Sequence, residues 1–305
     1  MTKTIVLLNP HAAGGKAAAL AEPIQRWLAQ HAPLVELCVA DSVAQARQLV
    51  DALPPSSRVV VVGGDGTLHQ LLPSLLRGAH NTALAPFGSG NDTARALGLY
   101  GMTWQQALVH GLSAMPRWVD VGLAEFERED DDHHICSVPF ISSLTTGFDS
   151  SVGLRALNGP KWLSGLPRYL LATVRELLNF RTWRLEVKVD GAAVYSEKAL
   201  FASTLNTRTF GAGMPAVPHA RVDDGQLNLL LAGDISLLQT LLLLPRLLLG
   251  KHLSHPQVHT QPFQTMQITS TTAVPIAADG EYLGLSQHIT VRVQAGQLAV
   301  VAATA

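Results

Sequence analysis

Three polar turns that contain glycine follow apolar runs in the first part of the chain. They are NPHAAGGK at residues 9–16, GGDGT at 63–67 and PFGSGNDTAR at 86–95. Glycine has no Cβ, so a backbone that carries it can approach a ligand closely. The N-terminus of a following helix offers N–H groups and the positive end of its dipole to an anion. These features predict phosphate binding. For the middle turn alone, a tight turn capped by Asp65 or Thr67 is the alternative.

None of the three turns matches a common nucleotide fingerprint. The first is not a Walker loop, because Pro10 stands where its first glycine belongs and Ala17 replaces the hydroxyl residue. The second lacks the glycine spacing of a dinucleotide-binding motif. All three nevertheless come at the carboxyl ends of predicted parallel strands, the edge at which open α/β sheets bind ligands.

The segments around these turns alternate in the manner of a parallel α/β sheet. Apolar runs predict strands at residues 4–9, 34–40 and 58–64, and a further strand that leads into the third turn. Helical spacing predicts helices at residues 16–31, 43–53 and 67–78. Pro23 is expected to mark a new start or a kink, and Ser42 or Asp41 to cap the second helix. We therefore predict an α/β nucleotide-binding domain over residues 1–118.

The pattern of predicted elements changes after Val119, from alternating strands and helices to short strands. Short runs with turns at VDG and DDG predict a β-rich second domain over residues 119–305. Helical segments near 165–180 and 236–249 interrupt these strands. The charged run at 127–134 is expected to be a solvated hairpin loop, with metal binding as the less favoured alternative.

Composition excludes several function classes. The chain has 22 Lys+Arg and 23 Asp+Glu, a net charge of -1, so no basic field predicts a nucleic-acid partner. No polybasic block is present, so any membrane attraction is expected to be mainly apolar. Cys38 and Cys136 lie far apart and predict a reducing, cytoplasmic location. The N-terminus is expected to be a strand and not a signal peptide. The leucine-rich segment 235–250 is interrupted by Pro245 and Arg246, so we do not expect it to span a bilayer.

Taken together, these motifs resemble the diacylglycerol kinase catalytic family, in particular the bacterial lipid kinases related to sphingosine kinases. The matching stretches include the three turns, GFDSSV, LNTRTFGAGMPAVPHARVDDGQLNLLL, LLPRLLLGKHLSHPQV and ADGEYLG, in order along almost the whole chain. The resemblance implies an NAD kinase-like α/β domain with a parallel sheet, followed by an all-β sandwich, with the active site in the cleft between them. It also implies transfer of the γ-phosphoryl of ATP to a lipid hydroxyl, with Mg²⁺.

The family's site residues carry over onto matching positions of this sequence. The resemblance places the nucleotide on Asn9, Pro10, Gly63, Gly64, Asp65, Gly66, Thr67, His69, Gln70, Ser89, Asn91 and Asp92. The catalytic residues it implies are Glu281 as proton acceptor, Asp279 beside it, and Asp65. It assigns a structural magnesium ion to RVDDGQ, with the Asp224 carboxylate and the backbone carbonyls of Arg221 and Gln226 as ligands.

Two departures from the family pattern matter. The family has Asn-Glu where this chain has His69 and Gln70, so a charge is missing beside the nucleotide. The usual triple glycine before the MP turn reads Gly211, Ala212 and Gly213. A third difference, Ser89 for a family threonine, keeps the hydroxyl and is not counted among these two.

The expected partners are ATP and a lipid with a free hydroxyl, with peripheral membrane contact during turnover. Two other readings stay open: a kinase for a soluble acceptor such as NAD, and a catalytically silent regulator that binds nucleotide or lipid. The sequence does not choose among diacylglycerol, a sphingoid base, ceramide and phosphatidylglycerol. It also leaves open whether the protein is a monomer or a homodimer.

Overall fold

The computed structural model describes residues 2–88, 90–129, 134–160 and 162–303. The chain divides into two compact units. The first comprises Met1–Val119 together with Gly296–Ala305, and the second comprises Asp120–Ala295. The sequence predicts that 296–305 belong to the second domain. The structure groups these residues with the first unit because Val300 pairs in parallel with Thr82.

The first unit is built on a parallel sheet. Its strands are β1 Thr4–Leu8, β2 Glu36–Val39, β3 Arg58–Gly63 and β4 Asn81–Pro86. Its helices are α1 Ala21–His31, α2 Val43–Asp51, α3 Asp65–Arg77, α4 Asp92–Ala96 and α5 Trp104–Ser113. The strands lie in the order β2-β1-β3-β4, and all these pairs are parallel. Val59–Val62 of β3 are fully buried, as expected for a strand covered on both faces.

Local sequence explains where these helices begin. Ser42 caps α2 by accepting a hydrogen bond from the Gln45 backbone N–H. The predicted helix over 16–31 is in fact two elements, a 3₁₀ helix Lys16–Leu20 and α1. Pro23 has no N–H to donate, which is tolerated in the first turn of a helix, and α1 accordingly begins at Ala21.

The second unit is dominated by antiparallel strands. Its strands are β5 Arg117–Glu127, which starts in the first unit, β6 Ile135–Phe140, β7 Ser143–Thr146, β8 Trp183–Val189, β9 Ala192–Ala199, β10 Phe201–Leu205, β11 Leu227–Ala232, β12 Val258–Phe263, β13 Thr265–Ala278 and β14 Glu281–Val300, which ends in the first unit. Its α-helices are α6 Phe148–Leu157, α7 Gly165–Glu176 and α8 Leu237–Leu248. Short 3₁₀ helices follow α7 at Leu177–Asn179 and α8 at His252–Ser254.

The long strand β13 pairs with different strands along its length. Its first half pairs with β8, and its last residues pair with β7. A register shift between Thr269 and Val274 separates the two halves. A bulge of this kind bends a strand, so the two halves of β13 can pair with different partners. The apolar core of the unit includes Phe140, Val187, Met266 and Ile276.

Helices α7 and α8 coincide with the two helical segments expected from the sequence, and α6 is an additional helix. Ser236 caps α8 through a capping box with Gln239. Within the described residues, no helix has the length and hydropathy that crossing a membrane requires.

Candidate functional site

The strand order of the first unit fixes where a ligand is expected. Because β1 lies between β2 and β3, the chain moves outward in opposite directions from the β1–β3 pair. In such a sheet, the carboxyl ends of the strands at this switch point form the binding crevice. Asn9 directly follows β1, and its Nδ2 donates to Thr67 Oγ1 at 2.8 Å, which links the first glycine turn to the second.

The second and third glycine turns meet backbone to backbone. A Cβ built on Gly64 would lie 2.8 Å from the Cα of Gly88, and a Cβ on Gly88 would lie 2.6 Å from the Cα of Gly64. A Cβ on Gly63 would lie 2.7 Å from Thr67 Oγ1. Glycine is therefore required here for close packing of the turns, in addition to any approach of a ligand.

The Asp65 carboxylate holds the third turn in place. It accepts hydrogen bonds from the backbone N–H groups of Asp92 at 2.9 Å and Thr93 at 3.0 Å, so it caps α4 from the first turn of α3. Burial and, to a smaller extent, the negative charge of the neighbouring Asp92 carboxylate raise the pKa of Asp65 to about 6. Thus the carboxylate predicted at the triphosphate also has a structural task.

Asn91 lies between these turns in a left-handed conformation, with φ 59°. Its Nδ2 donates to the Gly88 carbonyl at 2.9 Å. Within the described residues, its buried Oδ1 has no hydrogen-bond partner. A buried acceptor without a partner costs roughly 1–3 kcal/mol, so a ligand or water that donates here would be stabilised.

The remaining predicted nucleotide residues are placed around the same strand ends. Gly66 and Thr67 lie in the first turn of α3, where backbone N–H groups have no partner within the helix. His69 is buried on α3, and Gln70 is partly buried, its carbonyl accepting from Arg47 Nε at 2.7 Å. Pro10 is partly buried in the turn after β1. Ser89 lies outside the described residues.

Asp279 lies in the tight turn between β13 and β14 in the second unit, and Glu281 directly follows that turn. Asp279 and Gly280 both have positive φ, 48° and 88°, as a two-residue type I′ hairpin requires. The buried Asp279 carboxylate accepts from the backbone N–H groups of Ile141, Ser142 and Ser143 at 3.0, 2.7 and 3.1 Å. Glu281 pairs with Ala278 in the hairpin and is partly exposed. The two carboxylates therefore have different surroundings.

The RVDDGQ loop offers oxygen donors but also internal hydrogen bonds. Asp224 is exposed, and its Oδ1 accepts from the Gln226 N–H at 3.1 Å. Asp120, which no sequence motif marks, is buried and accepts from the Gly225 N–H at 2.7 Å. Among the described residues, no group of three or more His, Cys, Asp and Glu side chains is arranged to hold a metal. A carboxylate with carbonyls is a donor set that suits Mg²⁺ or Ca²⁺.

An apolar cavity lies in the second unit beneath α6, α7 and α8. Its empty space, including the open mouth, is about 770 Å³, and its walls include Phe148, Val152, Tyr169, Leu230 and Leu243. A cavity with this apolar lining suits an acyl chain or another apolar ligand. The sequence offers residues 159–180 and the leucine-rich segment 235–250 as candidates for an apolar lipid groove or a membrane-facing patch, with packing on the sandwich as the favoured alternative. Both segments contribute side chains to the cavity wall, and the rest of the wall comes from distant parts of the chain.

One buried carboxyl group lies in the wall of this cavity. Asp149, in the first turn of α6, accepts a hydrogen bond from Ser203 Oγ at 3.0 Å. Burial raises the pKa of Asp149 to about 7, and the Ser203 hydrogen bond offsets only part of that effect. The group is therefore partly protonated at neutral pH and able to donate as well as accept.

Comparisons with known proteins agree with this arrangement. Residues 3–124 match the diacylglycerol kinase catalytic domain, and residues 142–302 match the YegS C-terminal NAD kinase beta sandwich-like domain. A Mycobacterium tuberculosis protein named diacylglycerol kinase is 30% identical over 92% of this chain and 89% of its own length. A Bacillus subtilis protein of that name is 23% identical over 81% of this chain and 78% of its own.

A solved structure shows the same fold. The crystal structure of a diacylglycerol kinase from Bacillus anthracis covers 99% of this chain and 97% of its own, with a TM-score of 0.67 at 16% identity. The predicted fold class, an NAD kinase-like α/β domain followed by a β-sandwich, is confirmed. From the matches to both domains and the 30% identical relative, the chain belongs to the diacylglycerol kinase catalytic-domain family of lipid kinases.

Proposed function

We propose that this protein transfers the γ-phosphoryl group of ATP to the free hydroxyl of diacylglycerol. The observation that carries the proposal is the apolar lining of this cavity, in a chain whose other unit has glycine turns at the switch point of a parallel sheet. The relatives named diacylglycerol kinase support diacylglycerol as the acceptor. The product would be phosphatidate, with ADP as the leaving group.

The nucleotide is assigned to the first unit. We assign the phosphates to the backbone N–H groups of the first turn of α3, and an N–H or O–H donor of the nucleotide to Asn91 Oδ1. ATP enters as its Mg²⁺ complex, since phosphoryl transfer depends on neutralising the phosphate oxygens. The Asp65 carboxylate holds the second and third turns together through its two backbone hydrogen bonds and so positions these groups.

The lipid is assigned to the second unit. The acyl chains would occupy the apolar cavity, and the carboxyl group of Asp149 would hydrogen-bond a polar group of the lipid that reaches it. A pocket that is apolar apart from a few polar groups fixes the orientation of such a ligand. Hence the cavity selects acceptors with a long hydrocarbon chain over a soluble acceptor such as NAD.

We assign proton removal to Glu281. The acceptor oxygen forms a bond to the γ-phosphorus, the bond from that phosphorus to the β–γ bridging oxygen breaks, and the hydroxyl proton passes to the Glu281 carboxylate. Asp279 suits this role less well, because its oxygens already accept three backbone hydrogen bonds. Its proposed role is to fix the turn that presents Glu281.

Apart from the Mg²⁺ that accompanies ATP, we assign a second metal ion, with a structural role, to the RVDDGQ loop. If RVDDGQ holds Mg²⁺, the Asp224 carboxylate and the carbonyls of Arg221 and Gln226 are the proposed ligands, and the ion would supply cross-linking of the loop. The donor types support this, and the loop is already anchored by the Asp120–Gly225 hydrogen bond.

The proposed place of action is the cytoplasmic face of a membrane. The free state of both cysteines fits that compartment.

The test is transfer of radiolabel from [γ-³²P]ATP to a panel of acceptors in mixed micelles. The panel contains diacylglycerol, sphingosine, ceramide, phosphatidylglycerol and NAD. We expect label in phosphatidate and none in NAD. Label in another lipid would leave the assignment as a lipid kinase intact and change only the assigned acceptor. Label in NAD alone would overturn the proposal. No label from a folded protein that binds ATP would favour the silent regulator.

A further inference from the structure

Asn206, which directly follows β10, is fully buried and donates three hydrogen bonds. Its Nδ2 donates to the carbonyls of Asp120 and Ile141, each at 2.9 Å, and its backbone N–H donates to the Ser142 carbonyl at 2.9 Å. The two side-chain bonds fix the orientation of the amide, because the reversed amide would place its oxygen against two carbonyl oxygens. One side chain thus joins β5 to the segment 141–143.

The segment 141–143 continues this contact to the turn that presents the proposed base. The backbone N–H groups of its three residues all donate to the Asp279 carboxylate, and the Asp279 N–H donates to the Ser143 carbonyl at 2.8 Å. Glu281 directly follows the turn in which Asp279 lies. The carbonyls of the first two residues of the segment are therefore held by Asn206, and its N–H groups are held by Asp279.

Asp120 continues the contact in the other direction, to the RVDDGQ loop. Its carboxylate accepts from the Gly225 N–H at 2.7 Å, and its own N–H donates to the Val222 carbonyl at 2.7 Å. Its carbonyl is one of the two that Asn206 holds. The loop and the turn are thus the two ends of one chain of hydrogen bonds, which lies entirely within the second unit.

The surroundings of Asn206 indicate what its side chain is for. Its Oδ1 is buried and, within the described residues, has no hydrogen-bond partner. A buried acceptor without a partner is costly, and an apolar side chain at this position would avoid that cost. The two donated bonds offset this cost, and both end on backbone that leads to the loop or to the turn. This side chain therefore serves to hold those two backbone segments together.

We propose that Asn206 is a positioning residue for phosphoryl transfer, and that it couples the RVDDGQ loop to the turn that presents Glu281. The inference rests on the proposed function, since it takes Glu281 as the proton acceptor. A misplacement of about 1 Å at a reacting group can lower turnover about 100-fold, so the setting of this turn matters to kcat. The glycine turns assigned to ATP belong to the first unit, so ATP affinity should not depend on Asn206.

The first test compares two alanine variants. Asn206→Ala removes both side-chain bonds and should lower kcat about 10–100-fold, with KM for ATP unchanged. Ser270→Ala is the matched control, because the buried Ser270 hydroxyl also makes two backbone hydrogen bonds, with Arg184 and Thr272 in the first half of β13. The control should lose similar thermal stability and keep normal kcat. Normal kcat in a folded Asn206→Ala variant, or an equal loss in both variants, would overturn the proposal.

Hydrogen exchange follows these contacts without any substrate. In Asn206→Ala, the amides of residues 141–143 should exchange about tenfold or more faster than in the wild type. The amides of β8, a strand paired on both sides, should keep their rates. A general loss of stability would instead speed exchange in both places. Uniformly faster exchange, or unchanged exchange at 141–143, would overturn the positioning role.

A double-mutant cycle tests the coupling. Asp120→Ala removes the bond to Gly225 and keeps the backbone carbonyl that Asn206 holds. Alone, it should lower kcat about three- to tenfold and speed exchange at 141–143. In the Asn206→Ala background it should lower kcat no further, because the connection is already broken. Losses that simply multiply would overturn the coupling. If Asn206→Ala does not fold, normal kcat and normal exchange in Asp120→Ala would overturn it equally.

The two kinds of measurement separate this inference from the proposed function. If the wild type phosphorylates diacylglycerol and Asn206→Ala keeps its kcat, the positioning role fails and the kinase assignment stands. If the wild type phosphorylates no lipid while exchange at 141–143 responds to both substitutions, the kinase assignment fails and the coupling between loop and turn stands.

Discussion

The carboxylate of Asp65 lies 2.9 Å from the backbone nitrogen of Asp92 and accepts its hydrogen bond. Through this contact and the parallel one to Thr93, a residue of the second glycine turn fixes the start of the helix that follows the third. Residues expected to touch the nucleotide thus hold one another in place. The contact also means that changing Asp65 alters both the ligand site and the local fold.

Replacement of Asp65 by alanine should lower kcat roughly 100-fold or more, because loss of the α4 cap moves the turns that position the phosphates. The free energy of unfolding should fall by about 1–2 kcal/mol. Asp190→Ala is the control: its Oδ1 accepts two backbone hydrogen bonds in the second unit, from Gln264 and Thr265. It should lose similar stability and keep normal kcat. Normal turnover in a folded Asp65→Ala variant would contradict the role.

Gly64→Ala tests the contact between the glycine turns. The added methyl group would lie 2.8 Å from the Gly88 Cα, and backbone cannot yield as a flexible side chain can. We expect KM for ATP to rise about tenfold or more, since the displaced turn carries the phosphate donors. Gly153→Ala, within α6 where nothing lies near the new Cβ, should leave KM unchanged and stabilise the protein by roughly 0.5–1 kcal/mol. Equal kinetics in the two variants would show that the close approach is irrelevant.

Substitution of the two carboxylates at the β13–β14 turn should have different effects, on turnover for Glu281 and on stability for Asp279. Glu281→Gln should lower kcat by roughly 10²–10⁴-fold, with ATP affinity and melting temperature close to wild type. Asp279→Asn places an amide against three backbone donors and should cost about 1–3 kcal/mol of stability. Kinetics and thermal unfolding on both variants decide the point. Full kcat in Glu281→Gln with a large loss in Asp279→Asn would make Asp279 the base.

Asp149 predicts a pH dependence of stability. Its pKa is raised in the folded protein, from 3.8 to about 7, so the folded state binds the proton more tightly than the unfolded chain. This stabilisation is complete below about pH 4 and is lost as pH rises through about 7. Asp65 contributes in the same direction, but its effect ends near pH 6.

Between about pH 6 and 8, titration of Asp149 should therefore lower the free energy of unfolding by roughly 1–2 kcal/mol. Burial lowers the pKa of His80 and His252, and these two groups oppose that fall, so the slope is read as the difference between wild type and variant. Asp149→Asn keeps an acceptor for Ser203 and should flatten this slope. Denaturant titrations across that pH window measure both proteins. An identical slope in the variant would remove Asp149 as its source.

The local features of the fold could be predicted from sequence because they rest on neighbouring residues. The helix caps Ser42 and Ser236 lie at the starts of α2 and α8, where side-chain oxygens compete for the first N–H groups. Glycine turns after apolar runs placed the strand ends of the first unit. The hairpin at Asp279–Gly280 follows from a dipeptide that accepts positive φ.

Other features depend on contacts that no local pattern records. Asp65 and Asp92 are 27 residues apart, and their hydrogen bond follows from strand order. Helix α6 was not predicted because Phe148–Val152 are all buried, which removes the amphipathic period that identifies a helix. The pairing of Val300 with Thr82 likewise depends on a return of the chain that spacing cannot reveal. The apolar cavity is an intermediate case: the sequence offers 159–180 and 235–250 as candidates for an apolar groove, but the segments that complete its wall lie far away in the sequence.

Phosphorus NMR of a single reaction mixture tests the central claim most directly. The mixture contains the protein, Mg²⁺, ATP and diacylglycerol in micelles, and the spectrum follows every phosphorus species at once. We predict that ADP and a new phosphomonoester of the lipid grow in equal amounts, and that both signals nearly vanish in Glu281→Gln. Growth of ADP with inorganic phosphate and no lipid phosphomonoester would contradict the assignment of this protein as a diacylglycerol kinase.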